Sequence, residues 1–288
     1  MSLFDSLVDA AVNAQPALAS QRAVVEKELL HHDVLREMAT AGLLAGLVFI
    51  GGTCLRACYG AQRLSEDLDF TGGADFSKDQ LSALGRLLEQ RLSAKYGLDV
   101  MVSEPVRETG NVDTWKMKVV TRPERADMPI QRINIDICSI PSHDARPMML
   151  RNYYDVDMGT GGLILQAESR EEILADKMIA LALRPNRVKN RDLWDIGWLV
   201  REGIQLPLSL IPLKLQDHGC SVPDYLAGLA MRVEALQSDP AMQREFVKEM
   251  QRFLPVQMVQ TTVVQTDFWV YLTTQIADLA NRVRVSLG

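Results

Sequence analysis

Two glycines, Gly51 and Gly52, and two aspartates, Asp67 and Asp69, carry the clearest chemistry in the sequence. The glycines close an apolar run, Leu43 to Ile50, and open a segment of helical character, Thr53 to Tyr59, that Gly60 breaks. Without a Cβ in the way, a bulky charged ligand can approach the backbone there. The free N–H groups and the dipole of a helix start favour an anion such as phosphate. Asp67 and Asp69 alternate with Leu68 and Phe70, so on a strand both carboxylates share one face and both apolar side chains the other. Two acids side by side repel each other unless a cation stands between them. A phosphate turn followed by paired acids is the chemistry of a metal-bound nucleoside triphosphate.

The elements that must position these residues read as strand, glycine turn, helix, loop, strand. Ahead of them, Val24, Leu29, Leu30, Val34, Leu35, Met38 and Leu43 recur at helical spacing, which predicts a helix from Ser20 to about Gly46. His31 and His32 lie in its polar part and read as solvated. A second helix is predicted from Ser77, a good N-cap, to Tyr96, with Leu81, Leu84, Leu87, Leu88 and Leu92 as its core stripe and Gly97 as its stop. Leu98 to Val106 and Trp115 to Thr121 alternate as strands, with turn chemistry at Thr109-Gly110-Asn111. In the strand Ile130 to Ile140, Ile133, Ile135 and Ile137 take one face and Asn134, Asp136 and Cys138 the other. An aspartate in such a strand is costly to bury unless it is paired. Asp136 therefore marks either an edge strand with a wet face or a third carboxylate beside Asp67 and Asp69 on a neighbouring strand. Three convergent acids can hold two magnesium ions, one gripping the triphosphate and one activating an acceptor hydroxyl.

The 288 residues suffice for one large domain or two medium ones. At 47% hydrophobic and 24% charged, the chain has the composition of a soluble globular protein, and the expectation is a cytoplasmic one. The longest apolar run is too short and too glycine-rich for a membrane span. Asp5 and Asp9, with no basic cluster, do not read as a secretory signal. Four cysteines in so long a chain make no disulfide framework, and Cys54 and Cys58 read as buried small residues. The formal charge of −6 argues against nonspecific nucleic-acid binding but allows a local basic surface.

In the second half, Ser169 and Glu172 have capping-box spacing at the start of a helix whose apolar face is Ile173, Leu174, Met178 and Leu181, with Lys177 among them. Pro185 ends that helix and Asn190 is placed to cap the next. Asp192 and Asp195, three apart, share one face of it. Arg184, Arg187, Lys189 and Arg191 crowd around them, facing a triphosphate, an RNA end or plain solvent. From Leu206 onward the pattern is helical, with Phe268, Trp269, Tyr271 and Leu272 as core or interface residues.

The string GGTCLRACYGAQRLSEDLDF resembles a known pattern. A Gly-Gly turn, an acid-x-acid strand and a third acid on a later strand look like the DNA polymerase β-type nucleotidyltransferase superfamily. The fuller match resembles one branch, the AbiEii/AbiGii-type nucleotidyltransferase toxins, which include the MenT toxins. It runs through Gly51, Gly52, Thr53, Leu55, Arg56, Tyr59, Gly60, Arg63 and Ser65 to Phe70. EEILADK and RDLWDI resemble two further motifs of that branch, the second with Trp194 in a tyrosine position.

The resemblance implies an α/β fold: a nucleotidyltransferase core with a mixed sheet over residues 1–165, then a mostly helical domain over 166–288 that contributes Lys177 and RDLWDI. Asp67, Asp69 and Asp136 are then metal ligands for Mg2+, or Mn2+ in its place. Gly51, Gly52, Thr53 and Ser65 cradle the phosphates. Arg63, Lys177 and Arg191 are cations on the nucleotide, and either Asp192 or Asp195 is the essential acid of the second motif, with Asp192 favoured. The implied reaction moves a nucleoside monophosphate from an NTP to an acceptor such as the 3′ end of tRNA, in the toxin of a toxin–antitoxin or phage-defence system with a cognate antitoxin. Two other readings stay open: a transferase acting on a protein or a small molecule, and a nucleotide-binding module that acts through a partner without turnover.

Overall fold

The computed structural model describes residues 2–106, 110–124, 130–185 and 187–288. The chain divides into two compact units, Met1–Ala167 and Glu168–Gly288.

In the first unit α1 (Leu3–Ala14) and α2 (Arg22–Thr40) precede β1 (Val48–Ile50). Then come α3 (Gly51–Cys54), continued by a π-helical turn over Leu55–Tyr59, β2 (Leu68–Thr71), a 3-10 turn (Lys78–Leu81) and α4 (Leu84–Tyr96). Five strands follow: β3 (Asp99–Ser103), β4 (Val112–Val120), β5 (Gln131–Cys138), β6 (Ala145–Met149) and β7 (Ile164–Glu168). They form one seven-stranded sheet in the order β3-β4-β5-β2-β1-β7-β6. It is mixed: β2 runs antiparallel to β1 and parallel to β5, and β7 runs parallel to β1.

Period-two alternation explains the layering. Phe49, Leu68, Phe70, Trp115, Met117, Val119, Ile133, Ile135 and Ile137 are all buried on one face. α2 packs against β5 and α4 against β3, and Gln131 on that face donates to Glu26 of α2 at 2.6 Å. The other face carries Asp69, Thr114, Lys116, Asn134 and Asp136, half-buried or exposed. Cys54 and Cys58 are buried and unbridged, as their small size suggested.

Several elements depart from expectation. α2 stops at Thr40, because residues 41–46 form turns in which Gly42 and Gly46 take φ of +72° and +80°. The predicted helix from Ser77 splits into the 3-10 turn and α4, although Ser77 does cap its start by accepting from the Asp79 N–H. β5 lies between β4 and β2, so it is no edge strand. In the predicted turn at Thr109-Gly110-Asn111, Thr109 lies outside the described residues, while Gly110 has φ +93° and the Asn111 carbonyl accepts from Ser139 N at 2.8 Å.

The second unit is helical: α5 (Arg170–Leu183), α6 (Asn190–Arg201), α7 (Leu210–Asp217), α8 (Val222–Ser238), α9 (Pro240–Met250), the short α10 (Val256–Met258) and α11 (Thr266–Leu287). Ser169 caps α5, its hydroxyl accepting from Glu172 N at 3.1 Å. Arg184 turns extended ahead of Pro185, as the proline ring demands. Asn190 does not cap α6; Lys189 holds that position, and the Asn190 amide reaches the Glu249 carboxylate at 3.0 Å. Trp194 packs on Phe268 and Phe246 on Trp269, while Tyr271 is exposed. Lys214, fully buried, joins α7 to the start of α5 through Glu168, Glu172 and Asp176 at 3.1, 2.6 and 2.7 Å. Among the described residues no helix is long and apolar enough to cross a membrane.

The reading of His31 and His32 as solvated is corrected: they are 3% and 6% exposed, because α2 is enclosed on more sides than an amphipathic pattern reveals. His32 Nδ1 meets the Thr160 hydroxyl at 2.8 Å. Burial pushes His32 down to about 4, against the opposing pull of Glu28 and Asp33. A lowered folded value favours neutral imidazole, so this contribution is complete above the unfolded value of about 6.5 and is lost as pH falls toward 4. Urea titrations should show wild type losing about 2 kcal/mol more than His32→Gln between about pH 7.5 and 5. Equal losses would mean that His32 titrates normally in the folded chain.

Candidate active site

The acids of the first unit come together by strand register. Asp69 of β2 lies beside Asp136 of β5 on the parallel pair, and Thr114 of β4 is the antiparallel partner of Asp136. The Thr114 hydroxyl donates to Asp136 Oδ1 at 2.6 Å. On the other side Asp69 pairs with Ile50, the last residue of β1. Gly51 follows with φ +73°, and a Cβ built there would stand 3.1 Å from Asp69 Oδ2. Only glycine allows both that backbone angle and that approach. Gly52, buried, continues into α3.

Asp67 sits just ahead of β2. Its Oδ1 accepts from the Asn134 N–H at 3.1 Å, and its carbonyl accepts from the Thr53 hydroxyl. The Thr53 and Ser65 hydroxyls, 2.6 Å apart, are both buried. In this structure they hold the acid-bearing loop rather than open onto solvent. Three side chains of α2 grip the same loop. Glu28 Oε1 accepts from Ser65 N at 3.0 Å, Lys27 pairs with Glu66 at 2.8 Å, and His31 Nε2 lies 3.0 Å from the Glu66 carbonyl. Since a carbonyl only accepts, His31 carries its proton on Nε2. Burial lowers the His31 pKa and keeps the ring neutral. The second Glu28 oxygen accepts from Arg56 Nε at 3.2 Å and from the Tyr154 hydroxyl. Arg63 is buried and donates to the Leu64 carbonyl at 2.8 Å.

The donor set suits a hard divalent cation such as magnesium, being all carboxylate oxygen. The space beside Asp69 that a Cβ at Gly51 would fill is consistent with it. Among the described residues no three acids are gathered closely enough to form a metal cage by themselves. Asp69 and Asp136 are neighbours by strand register, and Asp67 is tied by one oxygen to Asn134.

In the second unit Lys177 and the RDLWDI residues form a compact ionic group. Lys177 Nζ lies 2.5 Å from Asp192 Oδ1 and 3.0 Å from Asp195 Oδ2, and Arg184 reaches the other Asp192 oxygen at 2.9 Å. Burial alone would raise Asp192, but the charges of Lys177, Lys189 and Arg184 outweigh it and hold the carboxyl well below the usual range. Arg191 lies 3.5 Å from Glu249 and places its guanidinium over the Phe253 ring at 4.8 Å. Of the basic stretch, Arg184 and Arg191 are thus engaged within the unit, Arg187 is exposed, and Asn186 lies outside the described residues.

Thr114, Glu28 and Lys27 were not singled out by sequence, and His31 was read as solvated. Thr114 sits on the same face of its strand as Lys116, but nothing local reveals that β4 pairs with β5 in this register.

A glycine turn pressed on an acid, with a second acid registered beside it on a mixed sheet, is the core of a nucleotidyltransferase. The chain belongs to the AbiEii family, described as nucleotidyl transferase AbiEii toxins of Type IV toxin–antitoxin systems, whose model matches residues 33–273. It is similar in fold to MenT4, a nucleotidyltransferase toxin from Mycobacterium tuberculosis H37Rv, with a TM-score of 0.58 and 14% identity over 97% of this chain and 92% of that one. Two Helicobacter pylori structures also align, each with a TM-score of 0.48 over 90% of this chain. JHP933 is 16% identical over 94% of its length, and a second protein, described as a nucleotidyltransferase, is 17% identical over 97%. No curated protein sequence matches the chain.

Thr114→Val keeps the side-chain shape and removes the hydrogen bond to Asp136. Transferase kcat should fall about tenfold or more, as expected for losing a bond to a charged group, with stability changed by about 1 kcal/mol or less. An unchanged rate constant for the chemical step in single-turnover measurements would show that Asp136 needs no such support.

Proposed function

We propose that this nucleotidyltransferase moves a nucleoside monophosphate from an NTP to the 3′ hydroxyl of an RNA acceptor, tRNA being the favoured one, with Mg2+ or Mn2+ as cofactor. The observation that carries the reading is the side-by-side register of Asp69 and Asp136, braced by Thr114 and faced by Gly51. Asp67, Asp69 and Asp136 would hold the metal, which supplies charge neutralisation at the phosphates and acidifies the attacking hydroxyl. The acceptor oxygen bonds to the α-phosphorus while the bond from that phosphorus to the bridging oxygen of the β-phosphate breaks. Pyrophosphate leaves with the electron pair, and Asp136 takes up the hydroxyl proton. The backbone of Gly51 and Gly52 lies against the phosphates. Thr53 and Ser65 act by fixing the loop. Lys177, held ready by Asp192 and Asp195, is the phosphate-binding cation. Asp192 is held too acidic to act as a base and serves to position Lys177. In a cytoplasm, a tRNA extended at its 3′ end stops translation until a cognate antitoxin protein intervenes.

Incubating the pure protein with each labelled NTP, magnesium and total RNA tests the reaction; label must appear in RNA. Asp69→Asn should abolish labelling while leaving the fold intact. Magnesium with nucleotide should raise the melting temperature of wild type and not of the variant, by ligand linkage. Full labelling by the variant would remove Asp69 from the metal site.

The toxin role has its own test. Expression of wild type should arrest growth, and Lys177→Ala or Asp192→Ala should relieve the arrest at equal soluble protein. Sustained growth on strong expression of soluble wild type, with no neighbouring gene supplied, would count against it.

A further inference from the structure

The open face of the sheet continues past the acids and changes sign. Along β5, Asp136 is followed on the same face by Asn134 and Arg132; along β4, Thr114 is followed by Lys116 and Lys118. Register pairs Lys116 with Asn134 and Lys118 with Arg132, and on the far side it pairs Lys116 with Ser103 and Lys118 with Met101 of β3. Lys116 and Arg132 are exposed and Lys118 half-buried. Among the described residues none of the three cations has a hydrogen bond, an ion pair or a ring contact. Met101 is 50% exposed beside them, an apolar surface amid charge. Same-face neighbours on a strand stand about 7 Å apart, so the tract starts next to Asp136 and runs about 13 Å from it. Exposed Asp99, opposite Val120, bounds it on β3.

Three cations side by side, without a carboxylate partner among the described residues, stand against a net charge of −6 on the chain. A polyanion is repelled by the protein as a whole and attracted here, which orients its approach. The basic stretch near Arg187 is a weaker candidate, because Arg184 and Arg191 already answer carboxylates of their own unit.

We propose that this sheet face is the acceptor track. A single-stranded polynucleotide lies across β5 and β4 with its backbone phosphates on Lys116, Lys118 and Arg132, a base against Met101 and its 3′ hydroxyl at the Asp136 end. The proposal rests on the RNA-acceptor reading above and adds where the strand lies.

The test is Lys116→Gln/Lys118→Gln/Arg132→Gln, a triple replacement on an open face, with Arg187→Gln as comparison. The probe is a labelled RNA hairpin with a single-stranded 3′ overhang, titrated over a range of salt without NTP. Loss of three phosphate contacts should weaken binding at least tenfold at low salt and flatten the plot of log K against log salt by about 2, at about 0.7 per contact for single strands. NTP affinity without RNA, and the Arg187→Gln curve, should stay as in wild type. If wild type binds and labels RNA but the triple variant binds it equally well, the track is wrong while the RNA reading stands. A loss of RNA affinity in Arg187→Gln alone moves the acceptor to the second unit and overturns the proposal. Loss of NTP affinity in the triple variant also overturns it, by assigning the cations to the triphosphate. If wild type neither binds nor labels RNA, the track and the RNA reading fail together.

Discussion

The first unit is arranged around the side-by-side placement of Asp69 and Asp136. Parallel register sets the two carboxylates on adjacent strands facing the same way. At a cross-strand separation of about 5 Å and an effective dielectric of about 20, two full negative charges there would repel by about 3 kcal/mol. Nothing in the sheet's apolar face can offset that, so the answer comes from what surrounds the pair. Thr114 donates to one acid, Gly51 brings backbone against the other, and the loop before β2 is tied down so that Asp67 stays at hand. The residual negative potential is what a divalent cation and its nucleotide would exploit.

The tie to α2 explains why this helix is so polar and yet so buried. Glu26, Glu28, His31, His32 and Asp33 are all enclosed. Buried charge of this kind is weak evidence for stability, because desolvation can exceed the pairing gain. Here each group has a named partner: Glu28 holds Ser65, Arg56 and Tyr154, while Asp33 takes Arg36 and Lys95 at 2.7 and 2.5 Å. The helix thus acts as a rigid frame for the loop that presents Asp67. A frame made of hydrophobic contacts alone would tolerate sliding; hydrogen bonds between Glu28, Lys27 and His31 and three successive points of Ser65-Glu66 do not.

How much of this was legible in the sequence follows from the range of each interaction. The alternation around Asp69 and Asp136 put each acid on the correct face, because strand periodicity is local. That β5 is a central strand beside β2 depended on pairing between residues 67 positions apart, which no local pattern encodes. His31 and His32 were misplaced for the complementary reason. A helix read by its apolar stripe shows which face is buried against one neighbour, whereas α2 is enclosed by several elements and satisfies its polar side chains one by one. Asn190 has good capping chemistry, yet the helix starts one residue earlier than that role requires: Lys189 takes the cap position, and the Asn190 amide nitrogen donates to Glu249 of α9. The basic stretch from Arg184 to Arg191 looked like free positive charge because its counter-charges, Asp192 within it and Glu249 well beyond it, are matched only in the folded unit.

The two basic clusters consequently have different physical characters, though they look alike in composition. In the second unit Lys177 and Arg184 face Asp192 and Asp195, so two positive charges meet two negative ones in a largely buried setting. Lys189 adds its charge at Asp192 as well. An anion that draws on Lys177 or Arg184 competes with their carboxylate partners, which favours a compact, highly charged ligand over a diffuse one. On the sheet face Lys116, Lys118 and Arg132 have no carboxylate to release among the described residues, and two of the three are exposed. Their attraction is weaker per phosphate and screened by salt, but it is available at no rearrangement and is spread over a length. That is the character a long, flexible polyanion of the kind proposed above would require. The two clusters thus differ in what an approaching anion meets: a paired, largely buried group in the second unit, and an open tract on the sheet of the first.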